Sequence, residues 1–340
     1  MKKTAYFITL WLILAAFCLS PAMPAVLAQT STNNPDTSGN GQALEIAPPV
    51  INVSGKPGET IKTTLKLRNI SSGQLIVTNQ INDFVAAGED GTPKIITKKN
   101  DNNPYSLTDW LNPLPSLLIK SRQIKDLPVI IEIPENASPG GHYGVIRFTA
   151  TPPKLDGTGV SLSASLGALM LVTVEGKAKE SLSVEEFSVM QNGKAGTIFE
   201  STPLTFLERI RNTGNIHEQP VGRITITNMF NKKIADVNVN LNGNNILPQS
   251  IRRFEQPLDS SIIGNKKLFG RYKADLKLVY GKDGKVLNSS IVFWVIPYRL
   301  IGLIILLLIV GFFALRFLIR RYNRRIISKA QNQKPQNKND

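Results

Sequence analysis

One stretch of fifteen residues, 160–174 (VSLSASLGALMLVTV), decides most of what this chain can fold into. Its even positions are all apolar: Val160, Leu162, Ala164, Leu166, Ala168, Met170, Val172 and Val174. Its odd positions begin Ser161, Ser163, Ser165 and Gly167. A period of two is the signature of a strand with one face in a core and the other in water. A kink is expected at Gly167. Period two recurs on both sides. Ile61, Leu65 and Leu67 share a face, and 129–133 and 143–149 read as further strands. After Glu175 the pattern restarts, with Ile224 and Ile226, Val237 and Val239, and Leu276 and Leu278. Asp283-Gly284 separates Val279-Tyr280 from Val286-Leu287 and reads as a hairpin turn. No amphipathic helix of ordinary length interrupts these strands. The expected fold class is all-β.

The strands fall into two similar halves. Leu67-Arg68-Asn69-Ile70-Ser71-Ser72-Gly73 in the first answers Ile210-Arg211-Asn212-Thr213-Gly214-Asn215 in the second. Gly141-His142-Tyr143 answers Gly270-Arg271-Tyr272. The Asn, Ser and Gly supply turn chemistry at the end of an inward-facing strand. A tyrosine just inside a late strand can bury its ring and return its hydroxyl to the backbone, as the tyrosine corner of immunoglobulin-type sandwiches does. Tyr143 and Tyr272 are therefore read as structural tyrosines. The longer Arg-to-Tyr interval of the first half matches an insertion at 102–115 (NNPYSLTDWLNPLP). Two tandem immunoglobulin-like β-sandwiches are expected, at 43–177 and 178–296.

The two ends carry different signals. Lys2 and Lys3, the apolar run 5–19 and the small-residue site Val26-Leu27-Ala28 read as a secretory signal peptide over 1–28, an uncleaved anchor being the alternative. The polar stretch 29–42 reads as a flexible linker. At the other end, 300–319 is 20 residues with one charge, Arg316, and would span about 30 Å as a helix, which matches a hydrocarbon core. A transmembrane helix is expected over 297–319 and a basic cytoplasmic tail over 320–340. Trp294, Tyr298, Arg316, Arg320 and Arg321 are the expected membrane-interface anchors. Of the net charge of +15, the two ends, Lys2, Lys3 and 316–340, carry +9, so most of the basic excess is terminal and points to a membrane and not to nucleic acid.

Little in the sequence suggests chemistry. Cys18, the lone cysteine, lies in the signal segment. His142 and His217, the two histidines, fall in different halves. His142 is read as flanking a buried tyrosine on the solvent side and His217 as a turn residue. No metalloprotease, serine-hydrolase or phosphate-loop motif is present. Glu89-Asp90-Gly91 and Asp283-Gly284 read as turns and not as calcium loops. No cofactor, no metal and no catalytic residue is expected, and the chain is read as a non-enzyme. Tyr105 and Trp110 have two readings: a glycan-stacking platform, or a short cap that buries Trp110 on the sandwich with Leu107 and Leu111. Lys94, Lys98 and Lys99, and Lys266, Lys267 and Arg271, form basic clusters. Asn52, Asn69, Asn136 and Asn288 begin Asn-x-Ser sequons.

The layout resembles the WxL-interacting proteins of Gram-positive cell surfaces. The residues that carry the likeness are Gly55-Lys56-Pro57-Gly58-Glu59, Leu67-Arg68-Asn69, 105–110, Ile131-Glu132-Ile133-Pro134 and 139–144, then 211–217 and Gly270-Arg271-Tyr272. The resemblance implies a peptidoglycan-binding first sandwich, a second sandwich that holds another surface protein, and a single-pass membrane anchor with the ectodomain outside. The expected function is a non-enzymatic surface adaptor whose partners are cell-wall polysaccharide and a surface protein. The alternative is a chaperone-like assembly factor for surface fibres that acts by edge-strand pairing.

Overall fold

The computed structural model describes residues 44–98, 103–151, 164–264 and 266–331. The expected signal peptide and linker, Lys99, Asn102 and the end of the tail lie outside the described residues.

The first sandwich is built from β1 (Leu44–Ala47), β2 (Val50–Gly55), β3 (Thr60–Asn69), β4 (Leu75–Ala86), β5 (Pro93–Ile96), β6 (Leu117–Ile119), β7 (Ile124–Glu132), β8 (Gly140–Thr151) and β9 (Ala164–Val174). One sheet has the order β1-β3-β7; the other has β2-β9-β8-β4-β5, with β6 also on β4. The second sandwich is built from β10 (Leu182–Gln191), β11 (Lys194–Gly196), β12 (Ile198–Phe199), β13 (Leu204–Asn212), β14 (Val221–Asn228), β15 (Lys233–Val239), β16 (Ile251–Leu258), β17 (Gly270–Tyr280) and β18 (Lys285–Val295). Its sheets are β11-β10-β13-β16 and β12-β18-β17-β14-β15. Both sandwiches are immunoglobulin-like, and in both an early segment changes sheets: β1 to β2 in the first, and β11, which pairs antiparallel with β10, to β12 in the second. β1 pairs antiparallel with β3, then β2 pairs parallel with β9. β10 pairs antiparallel with β13, then β12 pairs parallel with β18.

The alternation maps onto this scaffold from Ala168 to Val174; Val160 and Leu162 lie outside the described residues, and Leu166, expected on the buried face, is exposed. Ala168, Met170, Val172 and Val174 are buried in the first core with Leu65, Leu67, Ile131, Ile146 and Phe148. The expected kink at Gly167 is absent: β9 pairs with β8 through Arg147↔Gly167 without a register shift. The glycine fits a tight spot, since a Cβ there would stand 3.0 Å from Val145 Cγ2. The second core gathers Phe206, Ile210, Ile224, Ile226, Val237, Val239, Leu276, Leu278 and Phe293. The hairpin at Asp283-Gly284 joins β17 to β18.

The repeated Arg-Asn pair has one physical job in both halves. Asn69 is fully buried at the end of β3 and donates Nδ2 to the carbonyls of Gly73, Ile119 and Lys120 at 2.7–3.1 Å. Asn212 is fully buried at the end of β13 and donates to Ile216 and Ile246 at 2.7 and 2.9 Å. Each side chain also accepts from the turn that follows it, through Ser71 N and Gly214 N. One buried amide thus clips a turn and a distant loop to the strand end, leaving few polar groups unsatisfied. Arg68 and Arg211 face outward to Glu45 and Glu185 on the neighbouring strands.

After β18 only Ile296 and Pro297 precede a helix, Tyr298–Gln331. It is long and apolar enough to cross a membrane. At 34 residues it outruns the expected 297–319, continuing as helix through the basic segment.

Candidate functional site

The structure offers two places where function could reside: a free sheet edge on the first sandwich and a buried seam between the sandwiches.

The free edge lies on β9. β8 pairs with β9 along its whole length, from Ala164 to Val174. On the other side β2 begins only at Val50↔Leu169 and continues to Gly55↔Val174. Among the described residues, 164–168 therefore have a ladder partner on one side only. Ser165, Leu166 and Gly167 are exposed there, with Leu166 at 40 %. The stretch 160–174 has no charge and no proline. β1 passes close to β9 without pairing to it before joining the other sheet, and an unpaired edge is a template for a further strand. Two other edges are guarded, whereas β2, the end strand of the same sheet, has neither charge nor proline. β7 carries Lys125, Asp126 and Pro128, and Asn112 N reaches Ile130 O across its lower end. β15 opens on Lys233, ion-paired with Asp236.

The seam is closed by backbone and side chains together. Gly141 N donates to Asn215 O at 2.8 Å, and Asn215 Nδ2 donates to Pro139 O at 2.9 Å. Gly140 has φ +133, and a Cβ there would lie 2.7 Å from Asn215 O, so only glycine lets the second sandwich come this close. Arg253 N donates to Glu89 O at 2.7 Å. Arg209 grips the Glu89 carboxylate with Nε and one terminal nitrogen at 2.7 and 2.5 Å. Between these polar ties, Phe84, Tyr143, Val145 and Leu171 form an apolar patch on the outer face of the β8–β9 sheet, and Leu247 of the second sandwich packs on it.

The two expected structural tyrosines are both buried, but they are not equivalent. Tyr272 behaves as a corner: its hydroxyl lies 3.0 Å from Phe269 N and 3.2 Å from Phe269 O, and its ring stacks on Phe293 in the core. Tyr143 points out of its sandwich into the seam. Its hydroxyl meets His217 Nδ1 at 3.3 Å, and the two rings sit edge-on at 5.7 Å. Burial pushes the His217 ring down to about 4, so at neutral pH it is uncharged and can accept the Tyr143 proton. Burial raises the Tyr143 hydroxyl, which keeps that proton in place.

Only one histidine departs from its sequence reading. His217 follows β13 as expected of a turn residue, yet it is buried in the seam. His142 is not on the solvent side: it is buried under Trp110, with ring centroids 4.1 Å apart. Its ring nitrogens face the carbonyls of Ser106 and Ser138 at 3.2 and 3.1 Å. Burial lowers its pKa, partly offset by those carbonyls. Among the described residues no group of three or more His, Cys, Asp or Glu could hold a metal ion.

The insertion that carries Tyr105 and Trp110 caps one end of the first sandwich. Leu107 and Leu111 are buried in the first core and Trp110 packs against it half-buried. Tyr105 leans on Tyr143 at 6.2 Å. Asp83 fastens the cap, accepting from Leu107 N at 3.1 Å, Thr108 Oγ1 at 2.6 Å and Asn103 Nδ2 at 3.2 Å. Burial would raise the Asp83 carboxyl, but these donors outweigh it and hold it low. Of the sequons, Asn69 is fully buried, whereas Asn52, Asn136 and Asn288 are exposed.

Sequence reasoning missed one group. Glu208 on β13 faces inward between Phe187 and Phe254 of the flanking strands. It is fully buried, and neither carboxyl oxygen has a hydrogen-bond partner. Burial, with the Glu255 charge second, pushes it up to about 9, so it is neutral at pH 7. Its signal was available in Leu204, Phe206, Glu208, Ile210, where one charge interrupts a period-two apolar run.

Of the expected membrane anchors, Trp294 ends up exposed near the end of β18 and Tyr298 opens the helix. Arg316, Arg320 and Arg321 lie exposed along the helix. Arg299 is ion-paired with Glu200 at 3.2 Å.

No family model matches the chain, and no curated protein matches it. Among solved structures it is similar to the YadV chaperone, at 11% identity over 74% of this chain and 99% of that one, with a TM-score of 0.35. It is similar to the class 5 fimbriae chaperone CfaA, at 14% identity over 75% and 100%, with a TM-score of 0.37. A third is a structure of the Salmonella enterica SafA pilin in complex with the SafB chaperone, at 10% identity over 73% and 96%, with a TM-score of 0.35. The resemblance to WxL-interacting proteins has no counterpart in these comparisons; what stands of it is the immunoglobulin-like sandwich.

Proposed function

We propose that this chain is a non-enzymatic, membrane-tethered protein-binding module. It captures an extended segment of another surface protein along the outer half of β9. The observation that carries the reading is the stretch 164–168, paired with β8 alone and free of charge and proline. A strand added there would continue the line of β2. Each backbone hydrogen bond gained would contribute about 1 kcal/mol net. Alternate side chains of the guest would meet Leu166 and its neighbours and supply selectivity. The helix anchors the module, with the span at 297–319 and the basic tail on the cytoplasmic side.

This reading rests on the edge and not on the distant likeness to the chaperones above. It takes the assembly-factor side of the sequence expectation. Binding of wall polysaccharide by Tyr105 and Trp110 is left out of it, because both rings already pack on residues of their own sandwich.

The test is site-specific photocrosslinking in intact cells, with the probe at Leu166 and, as control, at exposed Asn288 on the second sandwich. The reading predicts a discrete protein adduct from 166 and none from 288. Pulse labelling separates the roles: adducts formed only when irradiation closely follows the pulse mark an assembly factor, and adducts still formed after a long chase mark a stable adaptor. Equal or absent adducts at the two positions would refute capture at β9.

A further inference from the structure

The end of the second sandwich from which the helix leaves has a surface unlike the rest of the ectodomain. Register places its parts. Gly270 pairs with Val295, Arg271 with Trp294, and Ile198 with Trp294 on the other side. Asn228 pairs with Tyr272, so the turn joining β14 to β15 lies at this same end. That turn carries Met229 at 48 % and Phe230 at 80 % exposure, and Phe269 beside it is 66 % exposed. Met229 and Gly270 are close enough that a Cβ on the glycine would stand 2.9 Å from Met229 Cε. Among the described residues, every Phe and Trp of the two sandwiches that is exposed (Phe230, Phe269 and Trp294) lies here. Lys232, Lys266, Lys267 and Arg271 are exposed around them.

Two ties stop this end from swinging away from the helix. Ile296 N donates to Phe199 O at 2.7 Å, and Arg299 is bonded to Glu200. If Tyr298 sits at a membrane surface, these aromatics are held within a few side-chain lengths of it. Exposed aromatic groups ringed by lysine and arginine fit the headgroup layer. The rings enter the apolar boundary and the cations meet lipid phosphates.

We propose that this end is a lipid-docking foot: Phe230, Phe269 and Met229 insert into the outer boundary of the protein's own bilayer, and Lys266, Lys267 and Arg271 bind anionic headgroups. The inference rests on the reading that the helix spans the membrane. The foot would hold the sandwiches in a defined pose, with β9 carried away from the membrane by the second sandwich.

The experiment uses the full chain in nanodiscs containing anionic lipid, in a Cys18→Ser background. An environment-sensitive fluorophore is attached in turn to Phe230→Cys, Leu308→Cys and Lys282→Cys. Lys282 sits at the far hairpin tip, about 30 Å along the sheet. The expected result is blue-shifted emission at 230 that shallow spin-labelled lipid quenches and that high salt or neutral lipid weakens. Position 308 should be quenched by deep spin label and 282 by neither. Quenching at 308 with 230 as water-exposed as 282 would overturn the foot and leave the span intact. No quenching at 308 would overturn the span and the foot together. Phe269→Cys repeats the test at an independent position.

Discussion

The two sandwiches keep the same polar clip and put the same late tyrosine to opposite uses. Asn69 and Asn212 make nearly identical bonds at the same point of the fold. Tyr272 closes a corner within its own sandwich, while Tyr143, in the matching Gly-x-Tyr, faces outward to His217. Turn chemistry is local and survives duplication. Which face of a strand is buried depends on what packs on it, and the first sandwich has a second domain on one outer face. The second sandwich differs again in holding an unpartnered carboxyl in its core.

The strongest way to probe the shared part is to remove both clips. Asn69→Ala and Asn212→Ala should each cost about 3 kcal/mol, since each strands several buried carbonyls and a turn amide. Calorimetry should show the loss in the transition of the mutated sandwich. A loss under about 1 kcal/mol in either would end the claim of equivalence.

The next effect is confined to the second sandwich. Glu208→Leu should stabilise it by about 2 kcal/mol at pH 7, because a buried carboxyl without partners gives way to an apolar side chain. Glu208 is raised to about 9 in the fold against about 4.5 unfolded, so the folded state binds the extra proton. Its contribution is complete below 4.5 and is lost as pH rises toward 9. The gap between variant and parent in urea unfolding should therefore widen from pH 5 to pH 9. A constant gap would mean that Glu208 does not titrate as described.

The seam titrates in the other direction. His217 is depressed to about 4 from about 6.5, so the unfolded chain takes up its proton first. Stability from this group is intact above 6.5 and declines as pH falls toward 4. His217→Gln should flatten that decline, read as melting temperature across pH 7 to 4.5.

The smallest expected effect separates the tyrosines. Tyr272→Phe should cost about 1 kcal/mol within the second sandwich. Tyr143→Phe should leave the first sandwich's own stability unchanged and loosen the seam, seen as faster amide exchange at Gly141 and Asn215. Equal local losses from both would make the two residues equivalent after all.

These contrasts mark how far the sequence could be read. Alternation at 160–174 and at 224–226, 237–239 and 276–278 announced both cores, because burial on one strand face leaves a period of two. The Arg-Asn repeat announced the turns, while the bonds from Asn69 and Asn212 to the distant loops needed the fold. The outward turn of Tyr143 was illegible, since Gly-x-Tyr reads alike whether its ring finds its own core or a neighbour's. The free half of β9 was illegible for a related reason. Alternation shows which face is buried but not where β2 stops. The lipid-facing end needed register, because Met229, Phe230, Phe269 and Trp294 are scattered in sequence.

The most direct test of the account is hydrogen exchange along β9, in the purified protein and in the complex trapped through Leu166. Free protein should show slow exchange over 169–174 and fast exchange for the edge-facing amides within 164–168. Those amides should become protected in the complex. Uniform protection of β9 in the free protein, or fast exchange that persists in the complex, would contradict capture along this edge.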